Sequence, residues 1–171
     1  MIFGVLSDQD VDWLTAHGRR QELAAGDVLV REGRTLDSLY IVLEGAFAVT
    51  LATRRGEAVA RLYAGEVVGE VSFVDSRTPI GSVVALAAAT VWTLPQSVVA
   101  DQLVRDPAFA ARFYRAIALT LAYRLRKMML SAANPASPEG EGADELDDNV
   151  LDNVHLAGAR FERMLKRVMV G

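Results

Sequence analysis

Gly65-Glu66-Val67-Val68-Gly69-Glu70-Val71-Ser72-Phe73-Val74-Asp75-Ser76-Arg77-Thr78-Pro79-Ile80-Gly81-Ser82-Val83-Val84-Ala85 is the stretch from which both the fold and a candidate site can be read. Glycine admits positive φ and lets the backbone come close to a ligand. Successive backbone N–H groups in such a turn form a concave anion-binding nest. Glu70 would repel a phosphate but can accept hydrogen bonds from sugar hydroxyls, and an arginine such as Arg77 can grip a phosphate bidentately. A tight Gly-Glu turn, a short polar loop and a β-branched run therefore suit a sugar-phosphate ligand.

On either side of this segment, residues 20–94 read as short strands separated by turn residues. The candidate strands are Arg20–Leu23, Val28–Val30, Ser38–Leu43, Ala46–Ala52, Ala58–Leu62, Val67–Val68, Gly81–Ala87 and Thr90–Leu94. Turns fall at Ala25-Gly26-Asp27, Glu32-Gly33, Glu44-Gly45, Arg54-Arg55-Gly56 and Ala64-Gly65. Many short strands at this spacing imply a barrel or sandwich.

Helices flank the strands. Ser7 and Asp10 have the spacing of a capping box and start a helix that Gly18 ends, with His17 near its C-terminus. Asp106 is a good N-cap and Pro107 suits the first helical position of a long helix reaching about Leu130. Phe109, Phe113, Ile117, Leu121 and Leu125 form one apolar stripe on it, and Ala111, Ala118, Leu119 and Ala122 lie on a second. One helix with two apolar faces needs two partners: the strands, and a second copy of the same helix in a homodimer through residues 106–130.

Residues 132–148 read as an acidic linker broken by Pro135, Pro138, Gly140 and Gly142, solvated or lying against Arg124, Arg126 and Lys127. After it, Val150, Val154, Ala157, Phe161, Met164 and Val168 are spaced 4-3-4-3-4, an a/d seam. This amphipathic helix, 149–171, needs a covering surface, either its own domain or dimer mate or a separate protein partner for residues 149–170.

The chain has 171 residues, 51% hydrophobic and 23% charged, with a net charge of −4. That balance favours a soluble globular domain and gives nucleic acid no broad electrostatic footprint. With no cysteine, thiol catalysis and disulfides are excluded. No apolar run approaches the roughly 20 residues of a membrane span, and no signal peptide is visible, so a cytoplasmic location is expected. The only histidines, His17 and His155, fall on predicted helices, so a cupin-like metal enzyme is not expected.

From Leu6 to about Met129 the sequence resembles the cyclic nucleotide-binding domain family, including the sensor half of the catabolite activator protein class. The resemblance is carried by Leu23-Ala24-Ala25-Gly26-Asp27-Val28-Leu29-Val30-Arg31-Glu32-Gly33, by Leu39-Tyr40-Ile41-Val42-Leu43-Glu44-Gly45 and by the Gly65–Ala85 segment. It implies a mainly β fold with flanking helices: a jelly-roll-like β-roll over 1–131 with a long C-helix, to which the extra C-terminal helix is appended.

It also implies a ligand site. Gly69 and Glu70 match the opening of the family's phosphate cassette, and Ser72 and Phe73 fit the next positions. Glu70 would take the ribose 2′-hydroxyl, and backbone amides across Gly69, Glu70, Val71 and Ser72 would face the phosphate. The family's arginine falls at Pro79, which has neither charge nor N–H, and Ile80 follows it; Ser82 and Val83 resume the pattern. Losing a charged hydrogen bond to phosphate costs roughly 1.5–3 kcal/mol, about tenfold to a hundredfold in affinity.

The expectation is therefore a non-enzymatic regulatory module binding cyclic AMP or cyclic GMP weakly or in altered form, with Arg77 as the substitute arginine. The alternative is a ligand-free dimeric adaptor working through its C-terminal helix. Direct DNA reading is not expected, because a single amphipathic helix cannot supply both helices of a helix-turn-helix.

Overall fold

A computed structural model describes residues 2–54, 57–133 and 148–169. Among the described residues eight strands form two antiparallel four-stranded sheets. The first, in the order β1-β8-β3-β6, holds Arg19–Leu23 (β1), Ser38–Glu44 (β3), Val67–Val68 (β6) and Ala89–Pro95 (β8). The second, in the order β2-β7-β4-β5, holds Val28–Val30 (β2), Ala46–Thr50 (β4), Ala58–Tyr63 (β5) and Ser82–Ala85 (β7). This is the expected β-roll: mainly β with flanking helices.

Period-two alternation divides the apolar residues between two cores. Tyr40 and Val42 of β3 face the second sheet, where Leu23, Phe47, Leu62, Val68, Val83 and Val91 join them. Leu39, Ile41 and Leu43 face outward onto helices. Burial on both faces explains why β3 reads as an unbroken apolar run.

Among the described residues five α-helices flank the roll, and one of them, Glu70–Asp75, was not foreseen. Asp8–His17 (α1) is closed by the predicted capping box, with Asp10 N–H donating to Ser7 Oγ and Ser7 N–H to Asp10 Oδ2. Gly18 follows because a Cβ there would lie 2.1 Å from the Trp92 indole nitrogen. That nitrogen donates to the Leu14 carbonyl at 2.9 Å and pins α1 to the sheet. Glu70–Asp75 (α2) lies where the sequence reading had a turn and polar loop. Gln96–Arg105 (α3) leads into the long helix Pro107–Ala133 (α4), whose Phe109 N–H is capped by Asp106 Oδ1 at 2.9 Å.

Helix α4 packs Phe109, Phe113, Ala116 and Ile117 against the first sheet and the N-terminal segment. Arg112 holds the buried Asp10 carboxylate bidentately, Nε at 2.6 Å and Nη2 at 2.8 Å. Asp148–Val168 (α5) returns to the same end of the molecule. Its Ala157, Met164 and Val168 are buried, and Phe161 packs on Phe3 with ring centroids 5.3 Å apart. The predicted seam is thus covered in cis, by the N-terminal turn Ile2–Gly4 and α1. A separate partner would have to displace that contact. The side chains of Val150 and Val154, the Arg55-Gly56 tip and linker residues 134–147 lie outside the described residues.

Candidate functional site

The cassette begins where β6 hands over to α2. Gly69 has φ 92°, and a Cβ there would come within 2.8 Å of Leu36 and 3.1 Å of the Ser38 carbonyl. Only glycine fits both the backbone angle and the space. Glu70 begins the helix and is 1% exposed. Phe73, one turn on, meets Phe113 of α4 edge-on at 5.9 Å. The loop that follows turns through Ser76, the one non-glycine described residue with positive φ, and runs into β7.

Glu70 does not face an open pocket alone. Arg124 of α4 donates from Nη1 to its Oε1, and from Nη2 to the Val67 carbonyl at 2.7 Å. Glu66 stands 3.8 Å away from the same guanidinium, and Arg124 Nε is buried without a partner among the described residues. Burial raises the Glu70 pKa above its ordinary 4.5; the Arg124 charge and hydrogen bond pull it back only in part, and Glu66 adds repulsion. The carboxylate expected to meet a ribose hydroxyl is thus held by a residue of the long helix. Two contacts, Phe73–Phe113 and Glu70–Arg124, join the cassette to α4.

The other sequence-selected residues are spread around the loop. Ser82 Oγ accepts the Glu32 N–H at 3.0 Å and ties β7 to the β2–β3 turn. The Pro79 carbonyl makes a parallel tie, accepting the Gly33 N–H at 2.9 Å. Ile80 is 82% exposed, so it does not seal a pocket. Val71 is exposed on α2. Ser72 and Arg77 line a groove of about 450 Å³ between α2 and the start of α3.

Arg124 was missed as a site residue; the sequence reading grouped it with Arg126 and Lys127 as a surface for the acidic linker. The signal was available. Arg124 lies seven residues beyond Ile117 on the same helix face, and a charge on a buried stripe calls for a buried counter-charge.

Comparison with known proteins bears on the family and the fold. The family described as cyclic nucleotide-binding domain matches residues 20–106. The chain belongs to that family. A cGMP-dependent protein kinase of Caenorhabditis briggsae is 35% identical over 74 residues, 43% of this chain and 10% of that protein. The chain therefore spans only a small part of that relative. Among solved structures, the N-terminal domain of a transcriptional regulator from Streptomyces coelicolor is 29% identical with a TM-score of 0.60, covering 83% of this chain and 94% of that one. The Thermus thermophilus catabolite activator protein has the same fold, with a TM-score of 0.64 at 21% identity, over 96% of this chain and 84% of that one.

Proposed function

We propose that this protein is a non-enzymatic regulatory module that binds a cyclic nucleotide weakly at the α2 cassette and passes that event to α4. The observation that carries the reading is the Glu70–Arg124 pair. It places the carboxylate that a ribose hydroxyl would need directly in contact with the helix that must respond. A ligand shifts an equilibrium only through different affinity for two states. Here the difference has a physical source: a ligand engaging Glu70 must share or replace Arg124. Gly69, Val71 and Ser72 supply the amides at the α2 start, and Ser82 holds the loop that closes the site. No arginine stands at Pro79, so the phosphate loses its usual counter-charge.

Titration calorimetry with cyclic AMP and cyclic GMP tests this. The native chain should bind one of them weakly, and Glu70→Gln should bind at least tenfold more weakly still. Pro79→Arg should tighten binding by about tenfold to a hundredfold, because it restores a charge-assisted phosphate contact. Absence of heat for both nucleotides at millimolar concentration, in the native chain and in Pro79→Arg alike, would sink the reading. The second reading, a ligand-free adaptor, would then stand. One observation favours it: Arg124 already occupies Glu70 and couples cassette to helix without any ligand.

The outward face of α4 supports a homodimer through residues 106–130. Tyr114, Leu125 and Met129 stand exposed along it.

A further inference from the structure

We infer that the cassette takes a neutral ribonucleoside, with its 2′ and 3′ hydroxyls both free, in preference to a 3′,5′-cyclic nucleotide. This preference rests on the proposed function in one respect: the ligand's sugar engages Glu70.

The closed site shows what such a ligand must offer. Arg124 presents two N–H donors to two acceptors, from Nη1 to Glu70 Oε1 and from Nη2 to the Val67 carbonyl at 2.7 Å. Glu70 and Val67 are both buried. A molecule that displaces the guanidinium must therefore satisfy both acceptors, because a buried one left without a donor costs the desolvation of that group. The two oxygens of a vicinal diol are spaced much as the two terminal nitrogens of a guanidinium are, and each hydroxyl can donate. Free ribose hydroxyls form such a diol. In a 3′,5′-cyclic nucleotide the 3′ oxygen is an ester oxygen and carries no hydrogen. One hydroxyl remains, so either Glu70 or the Val67 carbonyl goes unpaired.

Arg124 also has somewhere to go. Glu66 Oε1 lies 3.8 Å from its Nη2. The other Glu66 oxygen accepts the Tyr63 N–H at 2.8 Å, which holds that carboxylate in place. In the closed arrangement Arg124 Nε is buried without a partner among the described residues, so its pairing there is incomplete. Moving from Glu70 to Glu66 takes the guanidinium across one short gap and carries α4 with it. A ligand that binds only where Arg124 has left Glu70 selects the second position of α4.

Charge sets the phosphate aside. Two carboxylates, Glu66 and Glu70, stand against one guanidinium, so the ionised cluster is negative. Pro79 stands at the family's arginine position and offers neither charge nor N–H. Arg77 is exposed, and the Asp75 carboxylate that accepts its N–H at 3.0 Å offsets the charge it brings to the loop. Setting like charges side by side is costly, and a nucleoside brings none.

Calorimetry of the full chain tests the preference, with adenosine and guanosine as probes beside cyclic AMP, cyclic GMP and free ribose. One nucleoside should bind at least tenfold more tightly than its cyclic monophosphate and than ribose. Its 2′-deoxy and 3′-deoxy forms should each bind at least tenfold more weakly, and Glu70→Gln should weaken the intact nucleoside as much. Pro79→Arg should shift the preference toward the cyclic nucleotide by about tenfold or more. Circular-dichroism melts confirm that each variant is folded. A cyclic nucleotide that binds through Glu70 as tightly as its nucleoside would overturn the preference and leave the proposed function standing. So would a 3′-deoxynucleoside as tight as its parent, since the Val67 carbonyl would then need no donor. Ribose as tight as the nucleoside would overturn the need for a base. Nucleoside binding indifferent to Glu70→Gln would overturn its place at the cassette. No heat from any probe at millimolar concentration would overturn the preference and the proposed function together.

Discussion

Glu70 sits at the start of α2 with 1% of its surface accessible, and its neighbours act on it in opposite directions. Burial and Glu66 favour the neutral acid, Arg124 favours the carboxylate, and the sum raises the pKa. A raised pKa means the folded state binds more protons than the unfolded one between 4.5 and the folded value. Stability must fall as pH rises through that window. Glu70→Gln removes the titration while keeping the shape. In thermal melts from pH 4 to 8, the stability of the native chain relative to Glu70→Gln should decline as pH rises above 4.5, then level off. A difference that grew with pH would mean Arg124 dominates and the sign is wrong. Asp10 shows the opposite balance. Burial pushes its pKa up, but hydrogen bonds from Arg112 and Ser7 more than offset this and bring it below 3.8. Its contribution to stability is therefore present above 3.8 and lost as pH falls through the lowered folded value. The Gly69-Glu70 opening was legible in the sequence because a motif fixes backbone geometry locally. The Arg124 contact spans 54 residues and was legible only as a charge on an apolar face.

At the scale of elements, α5 was legible as a helix because its 4-3-4-3-4 spacing admits no other regular structure, but spacing does not name the surface it covers. The structure puts Met164 at 0% exposure against the N-terminal segment. Arg160 and Arg163 reach Asp8 and Asp12 of α1 at 2.8 and 2.9 Å, and Arg167 reaches Asp12 at 2.5 Å. Exposed pairs of this kind contribute little, because water and salt screen them. A buried methionine cut to alanine costs about 2–5 kcal/mol. Packing, not charge, should therefore hold the helix. Hydrogen exchange checks it: Met164→Ala should speed exchange across residues 157–168 while the strands stay protected, and Arg163→Ala should have a much smaller effect that shrinks further in salt. A larger effect from Arg163→Ala would reverse the ranking. Helix α2 was not legible for the converse reason. Six residues are too few to show a period, and its entry depends on positive φ at Gly69.

On the scale of the whole molecule, α4 decides what the rest can do. The stripe Phe109, Phe113, Ile117, Leu121, Leu125 advances about 40° per step, because four residues overshoot one 3.6-residue turn. Its first three members are buried in the roll, Leu121 is half-buried, and Leu125 has rotated out to 59% exposure. Where that stripe leaves the core, another runs the length of the helix: Ala111, Tyr114, Ala118, Leu121, Leu125 and Met128, spaced 3-4-3-4-3. That is a coiled-coil seam, and with small residues at 111 and 118 two copies can approach closely. In the proposed homodimer a second copy would satisfy it symmetrically, with the same surface on both sides. The pairing would also stiffen α4 near Arg124, so that movement at the cassette is shared by two subunits. Sedimentation equilibrium should give twice the 18.5 kDa chain mass for the native protein. Leu125→Glu would set like charges against each other across the seam and should return the single mass without lowering the thermal stability of the β-roll, since Leu125 lies outside the core. A native chain that stays monomeric, or a Leu125→Glu variant that stays dimeric, would remove α4 as the interface and with it the shared response.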